Sequence, residues 1–164
     1  MENDREEWTV RPGVVADVPA IHQLIVDLAI YERAELEVVV TVETLIADGF
    51  GPDAIYELEV AESGGRVVGM ALWYVKYSTW KGKCGYLEDL MVAESHRGLG
   101  IGKALFEEVA RTSAKRGYLR MEWQVLDWNE AAIGFYKRLG AELDEEWFNG
   151  KLTGNTLSGY KEVQ

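Results

Sequence analysis

Between His96 and Lys103 the chain reads His-Arg-Gly-Leu-Gly-Ile-Gly-Lys, with glycines at positions 98, 100 and 102 and cations at Arg97 and Lys103. Glycine lets a backbone bend freely and approach a ligand closely. Main-chain N–H groups exposed in such a bend, together with the positive end of a following helix, bind phosphate. Arg97 and Lys103 add charge to the same anion. A P-loop needs Gly-x-x-x-x-Gly-Lys followed by Ser or Thr; Arg97 occupies the first glycine position and Ala104 follows the lysine. A dinucleotide-binding fingerprint needs glycine at position 103, where Lys stands. The spacing that remains is Arg-x-x-Gly-x-Gly, at Arg97, Gly100 and Gly102.

Other residues with chemical potential are few. Glu88 falls within an otherwise apolar stretch, Tyr86 to Val92, where a charge is costly without a task or a partner. Asp89 beside it should point to the opposite face, because side chains of a strand alternate. The only histidines are His22 and His96, and neither lies in a metal-ligand cluster, so metal catalysis is not expected. Cys84, the single cysteine, excludes an internal disulfide, is compatible with a reducing cytoplasm, and reads as a buried strand-entry residue.

The elements that must position these groups follow from periodicity. Trp8 to Arg11 reads as a strand. Asp17 is placed as N-cap of a helix with Pro19 in its first turn and Ile21, Leu24, Ile25 and Leu28 on one face, ending near Glu32. Thr41 caps a shorter helix that stops near Gly49. Tyr56, Leu58 and Val60 alternate along a strand, Ser63-Gly64-Gly65-Arg66 turns the chain, and Val67 to Tyr77 returns. The glycine-rich bend then separates strand Tyr86–Val92 from a helix carrying Ile101, Leu105 and Val109 and ending at Gly117. Leu119, Met121, Trp123 and Val125 form another strand. A helix from about Asn129 stops at Gly140, and one or two further strands finish the chain. Strands interleaved with helices, with an early hairpin, predict an α/β mixed sheet.

The 164 residues, 48% of them hydrophobic and 27% charged, suit one soluble domain over 8–164 behind a polar tail, Met1 to Glu7. The tail has no apolar signal-peptide core, and no apolar run reaches the roughly 20 residues of a membrane helix. The net charge of −11 repels nucleic acid at long range and attracts small cations.

Beyond the loop, Tyr86-Leu87-Glu88-Asp89, Asp127-Trp128-Asn129-Glu130 and Phe135-Tyr136-Lys137-Arg138-Leu139-Gly140 resemble the GNAT N-acetyltransferases, in particular the spermidine/spermine and thialysine acetyltransferase group. Asp48-Gly49-Phe50-Gly51 and Ser78-Thr79-Trp80-Lys81-Gly82 match that group too, the latter nearer its thialysine branch. The resemblance implies the GNAT fold, a central mixed, mostly antiparallel sheet splayed between two parallel strands and flanked by helices. It implies acetyl-CoA as co-substrate, a small cationic amine as acceptor, and a cytoplasmic homodimer whose sites draw on both chains.

The same resemblance implies residue roles. Arg97, Gly98, Leu99, Gly100, Ile101, Gly102 and Lys103 hold the pyrophosphate. Backbone groups of Leu90, Met91 and Val92 pair with the pantetheine arm. Asn129 contacts the cofactor, caps the helix it begins, or does both. Tyr136 matches the proton-donating tyrosine; a phenol is protonated at neutral pH. Glu88 is the water-mediated proton acceptor, and a bulge or the splay would bring Asp89 close to it. Tyr31, Glu32, Trp80, Asp89 and Glu146, or Glu145 in its place, hold the amine. Two departures stand out. The turn at Ser63 to Arg66 is short for the group, and Ser78 stands where the polyamine branch carries an acid, which weakens spermidine and spermine as substrates. A CoA-binding sensor without turnover and a peptide or protein acetyltransferase remain as alternatives.

Overall fold

In the computed structural model, residues 7–162 are described. The stretch read as a tail lies outside them except for Glu7, whose carbonyl accepts a hydrogen bond from Ser63 Oγ. The chain forms two compact units, Met1–Gln124 and Val125–Gln164.

The first unit is built on a five-stranded sheet ordered along the chain. Its strands are β1 (Trp8–Pro12), β2 (Glu57–Ser63), β3 (Arg66–Ser78), β4 (Gly82–Val92) and β5 (Met121–Trp123). The first four pair antiparallel. Ser63 pairs with Arg66 across a two-residue turn in which Gly64 and Gly65 both have positive φ, the backbone that a tight primed hairpin turn requires. β4 and β5 run parallel, and their ladder ends at Leu87 and Trp123. β4 continues to Val92 paired only with β3 among the described strands. The expected strand Leu119–Val125 is thus present but shorter.

Each face of this sheet carries a helix. On one, α1 (Val18–Tyr31) lays Ile21 and Leu24 against Leu58, Val60, Met70, Leu72 and Met91, the helical stripe meeting alternate strand positions. α2 (Val42–Phe50) packs beside it, capped by Thr41 Oγ1, which accepts from the Thr44 N–H at 3.2 Å. On the other face, α3 (Ile101–Lys115) buries Ile101, Leu105 and Val109. Cys84 is fully buried on β4. Asp17 precedes α1 as expected, yet its carboxylate does not cap the helix. It accepts instead from both terminal nitrogens of Arg11, at 2.7 and 3.0 Å, and from the Val14 N–H. A buried carboxylate gains more from a two-pronged guanidinium than from one helix N–H.

The second unit holds α4 (Glu130–Arg138) and the short α5 (Gly154–Ser158). The one or two closing strands expected after Gly140 are absent among the described residues, where the chain from 141 to 153 has no regular structure. Trp147 and Phe148 are adjacent, not alternating, and both are exposed; Glu142, Asp144, Glu145 and Glu146 precede them in the chain. That pattern offers no single face to bury, so nothing repays the order of a strand.

Candidate functional site

The glycine-rich bend sits between the end of β4 and the start of α3. Gly98 and Gly100 have φ of 78° and 86°, left-handed backbone that other residues reach at a cost. A Cβ at Gly98 would meet no atom within 4 Å, and one at Gly100 only the Trp8 ring at 3.9 Å. The bend is therefore open outward. No side chain caps α3, and its first turn holds no acid, so its leading N–H groups and positive end face whatever occupies the bend. Arg97 is not a free tether. Its Nε donates to the Val92 carbonyl at 3.1 Å, and its guanidinium lies over the Tyr31 ring at 5.7 Å. Lys103 is exposed, with Nζ 3.6 Å from Glu107.

Along β4 the register slips. Leu72 pairs with Asp89, but its neighbour Trp73 pairs with Leu87, so Glu88 is an extra residue in a β-bulge. In a regular strand Leu87 and Asp89 would share a face. Here Asp89 joins Leu72 and Leu58 on the α1 face, and Leu87 joins Trp73 on the α3 face. Glu88 reaches the α1 face too: its carboxylate accepts from the Tyr74 O–H at 3.1 Å, and Tyr74 stacks on Tyr86, ring centroids 5.2 Å apart. The bulge thus sets two adjacent carboxylates on one side of the sheet.

Their environments differ. Glu88 is exposed; Asp89 is half-buried. The sequence reading gave the costly apolar position to Glu88, but the bulge turns it outward and turns Asp89 in. Burial, then the charges of Glu88 and Glu32, push the Asp89 carboxyl up to about 6. Glu32, just past the end of α1, is itself raised by burial. Tyr74 is pushed up to about 12 by burial and by Glu88. Tyr31, Glu32, Glu88 and Asp89 therefore share one acidic, aromatic-walled face, joined to the glycine-rich bend through the Arg97–Tyr31 contact. Tyr74 and Tyr86 were not singled out from sequence; counting the β3–β4 register back from the turn at Ser78–Gly82 places them there.

Trp80 is elsewhere. It lies in the β3–β4 turn, where Ser78 Oγ accepts from the Trp80 and Lys81 N–H groups, and it is 79% exposed. Asp89 lies seven positions beyond Gly82 along β4, about 20 Å of bulged strand. Ser78 holds the turn where an acid was expected in polyamine-specific relatives.

In the second unit, Asn129 caps α4 by accepting from the Ala132 N–H at 3.2 Å, the structural role foreseen for it. Tyr136 is 8% exposed, edge-on to Phe135 at 5.1 Å. Glu145 and Glu146 are exposed, the Glu146 N–H donating to Asp144 Oδ1.

The site therefore joins an outward-open bend at an uncapped helix to a strand whose edge beyond Leu87 is unpaired by the described strands. Residues 21–141 match the acetyltransferase (GNAT) family. The chain belongs to the GNAT acetyltransferase family. Members of this family use acetyl-CoA as co-substrate, and the open bend and uncapped helix here suit its pyrophosphate. A thialysine N-epsilon-acetyltransferase from Bos taurus is 40% identical over 141 residues, which are 81% of this chain and 83% of the bovine protein. The human spermidine/spermine N(1)-acetyltransferase-like protein 1 is 31% identical over 147 residues, 85% of this chain and 21% of the human one. Among solved structures, an aminoglycoside acetyltransferase from an uncultured soil sample superposes with a TM-score of 0.75, covering 93% of this chain and 100% of its own at 21% identity. The mixed sheet with one parallel pair is thus the GNAT fold. No helix among the described residues is long and apolar enough to cross a membrane.

The glycine conformation gives a direct test of the GNAT bend. Gly100→Ala forces a methyl group onto a φ of 86°, about 1–2 kcal/mol of strain. Relief by moving the backbone would misdirect the α3 N–H groups. Calorimetry should show CoA binding weakened about tenfold, with the unfolding midpoint lowered by only a few degrees.

Proposed function

We propose that this GNAT enzyme acetylates the primary amine of a small cationic molecule of the lysine or thialysine type, with acetyl-CoA as donor. The observation that carries the reading is the shared face of Tyr31, Glu32, Glu88 and Asp89 beside the glycine-rich bend. Carboxylates and aromatic rings together hold an ammonium on a short chain. The higher identity to the thialysine relative than to the spermidine/spermine-like one, and Ser78 in the β3–β4 turn, favour a short acceptor over a long polyamine.

The chemistry divides among the chain's own groups. An alkylammonium has a pKa of roughly 10.4 and no lone pair to attack with. Passing its proton to a carboxylate of pKa near 6 is uphill by about 6 kcal/mol, against about 8 for a carboxylate near 4.3. That difference favours Asp89 as acceptor, with Glu88 and Glu32 holding the cation and keeping Asp89 high. This refines the reading of Glu88 as the base: exposed and engaged by Tyr74, it suits binding and water-ordering. The acetyl thioester supplies an activated acyl carbon. The main chain of Leu90, Met91 and Val92, on the β4 edge that β5 leaves unpaired, aligns the pantetheine arm. Arg97, Lys103 and the N–H groups from Gly98 to Gly102 hold the pyrophosphate. As nitrogen bonds to the acyl carbon and the carbon–sulfur bond breaks, Tyr136 gives its phenolic proton to the departing sulfur, and the second proton shed by the acylated nitrogen returns the phenolate to the phenol. Tyr136 and Asn129 enter through their motifs, Phe-Tyr-Lys-Arg-Leu-Gly and Asp-Trp-Asn-Glu. Trp80, exposed on a hairpin tip about 20 Å of strand from Asp89, would serve a neighbouring copy's site in a homodimer; Glu146 is assigned to the amine through the family resemblance alone.

The test is a panel of thialysine, lysine, putrescine, spermidine and an amino sugar, read by CoA release from purified protein. The expected order puts thialysine and lysine first and spermidine last. Equal or better turnover of spermidine would overturn the assigned acceptor class, and CoA binding without turnover of any amine would favour a sensor.

A further inference from the structure

We propose that the cavity walled by β1, β2, the end of α2 and the C-terminal half of α3 is a second binding site, for a small organic cation: a primary ammonium on a hydrocarbon body, with Glu59 as its counter-ion. The cavity measures about 520 Å³, at the size range of small-molecule sites.

It is separate from the face described above. Glu59 pairs in register with Ala71, and Ala71 with Leu90, whereas Leu58, Leu72 and Asp89 form the adjacent row. Neighbouring rows point to opposite faces of a sheet. Glu59 therefore looks toward α3 and Asp89 toward α1. The α3 residues at the cavity are Glu108, Thr112 and Arg116. Glu108 lies five residues beyond Lys103, and Arg116 thirteen, about 8 and 20 Å along the helix from the glycine-rich bend.

The charge balance of the lining selects the ligand. Arg11 is taken by Asp17 and Glu62. Arg116 makes a two-pronged pair with Glu57, at 2.5 and 2.8 Å. Glu108 is paired with Arg111. Glu59 is left. It is 7% exposed, and among the described residues no hydrogen bond or ion pair engages its carboxylate. A buried carboxylate without a partner is costly. One uncompensated negative charge suits one positive charge, not an anion. One free carboxylate is also too few for a divalent metal, which takes several oxygens. On the Glu59 side of the sheet the remaining wall is apolar: Val10 and Pro12 line it, Phe50 and Leu58 reach its rim from the α1 side, and the Tyr56 hydroxyl is spent on the Leu45 carbonyl. A hydrocarbon body with an ammonium head matches both parts.

Protonation supports the same assignment. Burial first, then Glu108 and Glu57, push the Glu59 carboxyl up to about 7, with Arg116 opposing. Near neutral pH the site exchanges a proton for a cation. A bound ammonium stabilises the ionised form, so affinity must fall as pH drops through 7 and Glu59 takes up its proton.

The experiment is a site-resolved NMR titration of the 15N-labelled full chain with benzylamine and, as the neutral control, benzyl alcohol. Benzylamine is expected to shift the amides of Phe50, Leu58, Glu59 and Thr112. Glu59→Gln, nearly isosteric, should weaken those shifts more than about tenfold in affinity while leaving any shifts at Glu32 and Asp89 in place. That separates failure of this site from failure of the acceptor face. In the unmodified chain the affinity at the Glu59 site should drop between pH 8 and pH 6, a measurement that stands even if the variant folds poorly. Absence of shifts near Glu59, equal shifts with benzyl alcohol, retained affinity in Glu59→Gln, or a pH-independent affinity would each overturn the proposal.

Discussion

Replacing Asp89 with Asn is expected to lower kcat/KM for amine acetylation at least about a hundredfold, the usual worth of a positioned general base. The variant should also lose the acidic limb of the pH profile. In the unmodified enzyme the rate should climb as pH rises through about 6, where Asp89 ionises. Asparagine keeps the shape and cannot accept a proton, so the limb should vanish along with the rate. Stability should move the other way. The folded carboxyl stands at about 6, above its ordinary 3.8. An acid raised on folding contributes most below its unfolded pKa, and that contribution is lost as pH climbs through 6. At neutral pH the ionised, half-buried Asp89 costs up to about 3 kcal/mol. Asp89→Asn should therefore unfold at the same or higher denaturant concentration at pH 7.5, and any gain should disappear below pH 4. A dead enzyme that is no less stable excludes misfolding as the cause. Glu88→Gln is the control: exposed, it should cost much less in rate. A larger loss in Glu88→Gln than in Asp89→Asn would return the base to Glu88.

That contrast marks where reading residues in order stopped working. The glycine-rich bend was legible because its signal is local: Gly98 and Gly100 need positive φ, and α3 follows at once. Helix α1 and the Ser63–Arg66 hairpin were legible for the same reason, their periodicity and turn chemistry being complete within a few residues. Which of two adjacent carboxylates is desolvated was not, because one inserted residue in β4 reverses the faces. The register slip between Leu72 and Trp73 is set by the partner strand, and no pattern in Tyr86–Val92 alone reveals it. The same holds for Tyr74, whose bond to Glu88 crosses the hairpin, and for Asp17, where Arg11 outcompetes a helix N–H. After Gly140 the expected strands are missing for a different reason: Trp147 beside Phe148 cannot share a strand face. Glu59 passed unnoticed because Leu58, Glu59 and Val60 read as an ordinary half-exposed strand. Only α3, packed from fifty residues further on, covers that face of the strand and walls the cavity.

Tyr136→Phe is expected to reduce kcat about a hundredfold and to change the dissociation constant for CoA less than about threefold. The lower end of the range for acid catalysis is the right expectation. A thiol has a pKa near 8.5, so a thiolate departs tolerably well without help, and protonating it matters less than protonating an alkoxide would. The substitution is also gentle on structure. Tyr136 is 8% exposed and packs edge-on against Phe135; phenylalanine keeps the ring and removes one oxygen. Loss of packing should therefore be small, and circular dichroism of the variant should match the parent. The kinetic signature is specific. If the phenol acts only as bonds to sulfur break, kcat and kcat/KM for the amine should fall together, because nothing in ground-state binding is lost. A rise in KM at constant kcat would instead make Tyr136 a binding residue, and an unchanged rate would leave it as packing beside Phe135. The effect should also shrink for an acyl donor with a more acidic thiol, since such a leaving group needs the proton least. A loss that does not depend on the leaving group would place the role of Tyr136 earlier, in orienting the thioester.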